Sequence, residues 1–218
     1  MLEEAASTST HEVLSRELIA QKALEFADRE GIENLSARKL AADLGKTAMS
    51  LYRHFDSIDD IRAAAVSLAF TEVDTEAIPG ERWDDTIRRF ACSVRDMYHR
   101  HINANLAVVP TGVDSPALKE YIDKIRVVQT EQGIPPQILY KLWRITDAFL
   151  TGFLTNELVT LRAAMDNLTA DEQAWQDYTV DTYSEQAFHD GFDIILSGIA
   201  MLAAPDPADW HTPDSTEI

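Results

Sequence analysis

The chain has 218 residues, 45% hydrophobic and 26% charged, enough for a sizeable core and typical of a globular protein, not of a disordered or fibrous one. Its 37 acidic residues outnumber 19 lysines and arginines, and the net charge of −18, taken as a sum, argues against nucleic acid as a partner. The single cysteine, Cys92, excludes an intrachain disulfide and a cysteine-rich zinc site and fits a reducing compartment.

The start, Met1-Leu2-Glu3-Glu4, lacks the basic and apolar stretches of a secretory signal. The apolar run at 194–204 is interrupted by Ser197 and Gly198 and is too short to span a bilayer, so a cytoplasmic protein without a membrane partner is expected. Residues 1–14 are polar and aperiodic and read as a loose arm. Ser15 suits an N-cap for a helix carrying Leu18, Ile19, Ala23, Phe26 and Ala27, and Gly31 suits a left-handed stop. Ser36 suits the cap of a short helix with Leu40, Ala41 and Leu44 inward, closed by Gly45. Thr47 suits the cap of a third helix, through Leu51 and Tyr52 to Phe55. Ser57 suits the cap of a connecting helix over 57–73, with Asp59 and Asp60 at its positive end.

Pro79-Gly80 marks the clearest boundary. Helices are then expected from Trp83 to about His101, from Ala117 to about Gln132, over 137–165 and over 184–203, with loop or a distorted helix between Asn103 and Pro116. No strand pattern or repeat interrupts this series. The expected fold is all-α: an arm at 1–14, a helix-turn-helix domain at 15–75, a ligand-binding and dimerisation domain at 76–205, and a tail at 206–218 that should fray.

Charge distribution qualifies the charge sum. Between Asn34 and Phe55 the charged residues are Arg38, Lys39, Lys46 and Arg53 against Asp43 alone, so this segment is locally basic. Two short helices joined by Gly45-Lys46 can cross steeply where Ala41 and Ala42 let them touch, which frees the later helix for a major groove. The run Leu35-Ser36-Ala37-Arg38-Lys39-Leu40-Ala41-Ala42-Asp43-Leu44-Gly45-Lys46-Thr47-Ala48-Met49-Ser50-Leu51-Tyr52-Arg53-His54-Phe55 resembles the helix-turn-helix of the TetR family of bacterial repressors. The similarity continues through Ser57 and Asp60-Ile61 and covers about residues 15–73. The run Ala187-Phe188-His189-Asp190-Gly191-Phe192 resembles, more loosely, the closing helix of that family's regulatory domains.

The resemblance implies a transcriptional regulator, a repressor released from a palindromic operator by a small-molecule inducer. It places Ala48, Met49, Ser50 and Arg53 toward the groove and Ser36, Tyr52 and His54 near phosphates, with Arg38 reaching a base edge and Lys46 and Thr47 beside them. Chemistry agrees in part: Arg53 can read guanine in two hydrogen bonds, and Met49 can pack on a thymine methyl. It also implies a homodimer through the helices at 137–165 and 184–203. Ile58 stands where many members carry a lysine, so one phosphate contact is expected to be lost, although the helix N-terminus can still meet a phosphate. Tetracycline-binding members hold magnesium-bound drug with a histidine in the loop corresponding to 102–116; none is present there, so the inducer is not expected to be tetracycline.

Each residue also has a plainer reading. Phe55 reads as core, whereas Tyr52 can pack its ring and still reach out. His99 and His101, two apart on a helix, point to nearly opposite sides and do not chelate together, so neither a metal nor another cofactor is expected. No nucleophile, acid/base pair or glycine-rich loop marks an enzyme. Met97, Tyr98, Trp143, Phe149 and Phe153 fit a helical core, yet with His101, Asn105, Thr146 and Asn156 they could line a ligand pocket. The competing expectation is a helical small-molecule-binding protein or enzyme with a vestigial DNA-binding unit.

Overall fold

The computed structural model describes residues 13–105, 116–163 and 181–203, and every regular element among them is helical. In order these are α1 (Arg16–Glu30), a 3-10 turn (Ile32–Asn34), α2 (Ala37–Asp43), α3 (Ala48–Leu51), α4 (Ile58–Phe70), α5 (Trp83–Arg100), α6 (Ile102–Asn105), α7 (Pro116–Glu131), α8 (Pro136–Ala163) and α9 (Glu185–Ala203). Most of the expected arm at 1–14, the whole tail at 206–218, and the 106–115 part of the expected loop lie outside the described residues.

Local chemistry sets the starts. Ser15, Ser36 and Ser57 are extended and accept hydrogen bonds from the N–H groups of Leu18, Lys39 and Asp60, at 3.1, 3.3 and 3.1 Å, each satisfying a donor the helix cannot. Thr47 stands at the cap of α3 without a side-chain bond. Two ends differ from expectation: α3 stops at Leu51 and continues as a turn, and α4 stops at Phe70, with Thr71 and Glu72 closing back on Leu68 and Ala69. Gly31 ends α1 at φ 87° and ψ 139°, outside the left-handed helical region, and so delivers the chain straight into the 3-10 turn.

α1 lies along α4 through small residues: Ala23 and Ala27 on one helix, Ala65 and Ala69 on the other, all fully buried. Small side chains let the backbones approach, and Phe26, Ile19 and Ile61 fill the space beside them, each large side chain contributing about 1.5–3 kcal/mol on burial. The far end of α4 meets α7, and α6 packs on α1. Between α4 and α5 the irregular chain is fastened by Arg89, which donates to Asp74 at 2.7 Å, Glu81 at 2.8 Å and the Glu76 carbonyl at 2.8 Å. α8 packs on α5, α7 and α9; against α9 it builds an aromatic cluster of Phe149, Phe153, Phe188 and Phe192 with ring centroids 5.3–6.0 Å apart.

Candidate nucleic-acid interface and regulatory core

The turn between α2 and α3 is set by Gly45 at φ 62°, which lets Lys46 N–H return to the Ala41 carbonyl at 2.8 Å and Gly45 N–H to Ala42 at 3.0 Å. Leu40, Ala41, Leu51 and Phe55 are buried beneath it. With Leu51 and Phe55 inward, the neighbouring positions face out: Met49 is 74% exposed and Tyr52 42% exposed. Ser36, Arg38, Thr47 and Arg53 are exposed as well, and Lys46, Ala48, Ser50 and His54 are partly so. The residues expected at DNA are therefore all accessible, on α2, α3 and the turns around α3. Ser36 and Ser50 are also engaged locally: Ser36 caps α2, and the Ser50 hydroxyl donates to the Thr47 carbonyl at 2.5 Å.

The charges there are held in an unusual way for so acidic a chain. Arg38, Lys46 and Arg53 form no ion pair among the described residues, while Arg29, Arg62, Arg88, Arg89, Arg95 and Arg100 are each paired with a carboxylate. Lys39, next to Arg38, turns the other way, 3.9 Å from Glu30 and over the Phe26 ring. Sequence reading missed Arg16. Its Nη1 donates to the His54 carbonyl at 2.5 Å and its guanidinium lies 4.0 Å from the Phe55 ring centroid, pinning the end of the α3 turn to α1. Arg62 acts similarly from α4, donating to the Leu35 carbonyl at 2.7 Å.

The residues expected around a ligand divide into groups. Met97 and Tyr98 are buried on α5, and burial pushes the Tyr98 phenol up to about 12, so it stays protonated. Trp143 and Thr146 share a face of α8; the Trp143 indole N–H donates to Gln129 at 2.9 Å, and its ring meets Phe90 edge-on at 5.6 Å. Phe149 and Phe153 belong to the aromatic cluster against α9. His101 and Asn156 stand apart. His101 is buried at the seam with α1, its Nδ1 and Nε2 facing Asp28 and Glu72, and Asn156 is exposed, donating to the Gly152 carbonyl at 2.7 Å. The side chain of Asn105 lies outside the described residues.

Sequence reading also missed Gln129 on α7 and Gln132 in the turn that follows it, both buried, beside Trp143 and Thr86 respectively. An open groove of about 730 Å³ lies between Thr75 and Ala77 of the connection and Asp123, Val127 and Glu131 of α7. It holds none of the expected ligand residues. Among the described residues no cluster could hold a metal ion, and no helix is long and apolar enough to cross a membrane.

No family model matches the chain. It is 36% identical over 168 residues, 72% of this chain and 75% of the relative, to an HTH-type transcriptional regulator of Mycobacterium tuberculosis. The crystal structure of the TetR family protein ActR of Streptomyces coelicolor with (S)-DNPA superposes with a TM-score of 0.67 at 21% identity, covering 87% of this chain and 98% of that one. The chain belongs to the TetR family of transcriptional regulators. Over 88% of this chain and 79% of the relative, it is also 22% identical to the HTH-type transcriptional repressor DrrR1 of Streptomyces coeruleorubidus. As a TetR-family fold, the helices through α4 carry the helix-turn-helix and the larger remainder is the helical C-terminal part.

Proposed function

We propose that this TetR-family chain is a cytoplasmic, homodimeric repressor, not an enzyme, that reads a palindromic operator with α3 and its flanking turns and releases it when a small molecule binds its C-terminal part. The observation that carries DNA reading is the outward Met49 on α3, with Arg38, Lys46 and Arg53 accessible on α2 and the turns around α3 and in no ion pair among the described residues. An exposed methionine on a helix flanked by exposed cations with no ion pair among the described residues is poorly explained by stability and well suited to a groove whose walls are phosphates and whose floor carries thymine methyls.

Dimerisation is supported by α9. Its outer face carries Ile194, 73% exposed, and Met201, 81% exposed, with Leu202 and the small residues Ser197 and Gly198 at helical spacing, while α8 adds Val159 and Ile145. Such a stripe fits a second copy of the same helices. Two probes so paired would enter successive major grooves about 34–36 Å apart. ActR, solved in complex with (S)-DNPA, is the analogy for a small-molecule effector, and the transcriptional repressor DrrR1 is the analogy for repression.

Selection of bound fragments from genomic DNA, followed by gel shifts across a salt series, tests the reading. Recovery of a palindrome with affinity falling steeply in salt is the expected result. No fragment preference at low salt would favour the alternative, a small-molecule-binding protein or enzyme with a vestigial DNA-binding unit.

A further inference from the structure

Among the described residues, the interior between α5, α7 and α8 contains hydrogen-bonding groups that no partner satisfies. Gln129, Gln132 and Thr146 are all more than nine-tenths buried. Gln129 Oε1 accepts from the Trp143 indole, which can only donate, so the Gln129 amide is oriented and its Nε2 is left over. Gln132 Nε2 donates to the Glu81 carbonyl at 3.0 Å, which can only accept, and to Thr86 Oγ1 at 2.6 Å, so Gln132 Oε1 is left over. The Thr146 hydroxyl, one helical turn from Trp143, likewise has no hydrogen-bond partner among the described residues.

Each such group, buried unpaired, destabilises the fold, and a core selected for stability alone would carry Leu, Met and Val here. We infer that Gln129, Gln132 and Thr146 are the polar wall of the effector site, and that the effector is an uncharged, largely apolar molecule carrying both a hydrogen-bond acceptor and a donor. Gln129 Nε2 supplies the donor for the effector's carbonyl or ether oxygen, Gln132 Oε1 accepts from its hydroxyl or N–H, and Thr146 serves either role. Phe90 and Trp143, edge to face, give the apolar surface beside them. Charge is selected against, because the nearby carboxylate of Glu81 is already neutralised by Arg89 at 2.8–2.9 Å, and the left-over groups are amides and a hydroxyl.

This inference rests on the ligand-responsive reading above. Its test uses the full-length protein and two fluorescent probes: an uncharged dimethylaminonaphthyl ketone and an anionic anilinonaphthalene sulfonate. The expected result is saturable, blue-shifted binding of the ketone at one site per subunit. Thr146→Val and Gln129→Met, both close in volume to the native residues, should each weaken it by about 3- to 10-fold. The sulfonate should fail to displace it, and Thr146→Val should melt no lower than the parent.

Absence of saturable ketone binding, wild-type affinity in both variants, or equal competition by the sulfonate would each overturn the assignment. Gel shifts of the same samples separate the two readings. Operator binding without ketone binding sinks the effector site alone, and ketone binding without operator binding sinks the repressor reading alone.

Discussion

The imidazole of His101 is clasped by the carboxylate of Asp28, Nδ1 lying 2.9 Å from Oδ2 across a separation of 73 residues. Its other nitrogen is 3.1 Å from Glu72, just beyond α4. Asn103 adds a hydrogen bond to the Asp28 carbonyl at 2.9 Å, and Arg100 one to Glu72 at 2.7 Å. The end of α5 thus holds the C-terminal part of α1 and the end of α4 together.

Replacing His101 with leucine leaves two carboxylates facing an apolar side chain. The expected cost is about 1–3 kcal/mol, with faster amide exchange around Asp28 in α1. Exchange in α1 that matches the parent would remove His101 from any coupling role.

Tyr52 and Arg53 are exposed and outside the core, so Tyr52→Ala and Arg53→Ala should keep the parent melting temperature. Each should weaken operator binding by roughly 5- to 100-fold, the range for a phosphate anchor or a base-reading pair. Unchanged gel-shift affinity in both would count against the docking face.

Glu157 is buried in α8, and burial alone pushes its carboxyl up; the neighbouring His99 and Arg95, whose Nη2 donates at 2.6 Å, outweigh this and hold it below the ordinary glutamate range. A carboxyl depressed in the folded state adds stability that is complete above the unfolded value and is lost as pH falls through the folded one. Urea midpoints should therefore decline below about pH 4.3, and Glu157→Gln should flatten part of that decline. Parallel acid limbs for the two proteins would exclude the contribution.

Gly191 sits in α9 where a Cβ would come within 2.8 Å of Phe149 Cε2 and 2.9 Å of Cζ. Alanine would gain about 1 kcal/mol of helix propensity, yet overpacking the ring costs about 1–3 kcal/mol, so Gly191→Ala should lower the melting temperature. Adding Phe149→Leu should recover part of the loss. A stabilised single variant would show that the ring moves freely.

What could be read from the chain was local. Ser15, Ser36 and Ser57 announce their helices because a capping side chain reaches only three residues ahead, and Gly45 announces its turn because few other residues adopt that φ. The expected DNA face is accessible because Leu51 and Phe55 fix which way a single helical turn points. The hidden parts depend on distance in sequence. Nothing near Arg16 signals that it will reach His54, nothing near His101 signals Asp28, and Gln129 and Gln132 look like surface residues until α5 and α8 close over them. Phe149 and Phe153 show the converse: their spacing suits a helical core and also admits a pocket wall, and α9 adds Phe188 and Phe192 to their aromatic neighbours.

Arg38, Lys46 and Arg53, in no ion pair among the described residues, lie on a chain whose remainder is strongly negative, which gives it a large electric moment. In the field of a polyanion such a body rotates before it collides: the acidic bulk is driven outward and the cationic end inward. Misoriented approaches are turned away at long range, so the same acidity that weighs against nucleic acid as a bulk property helps aim the encounter.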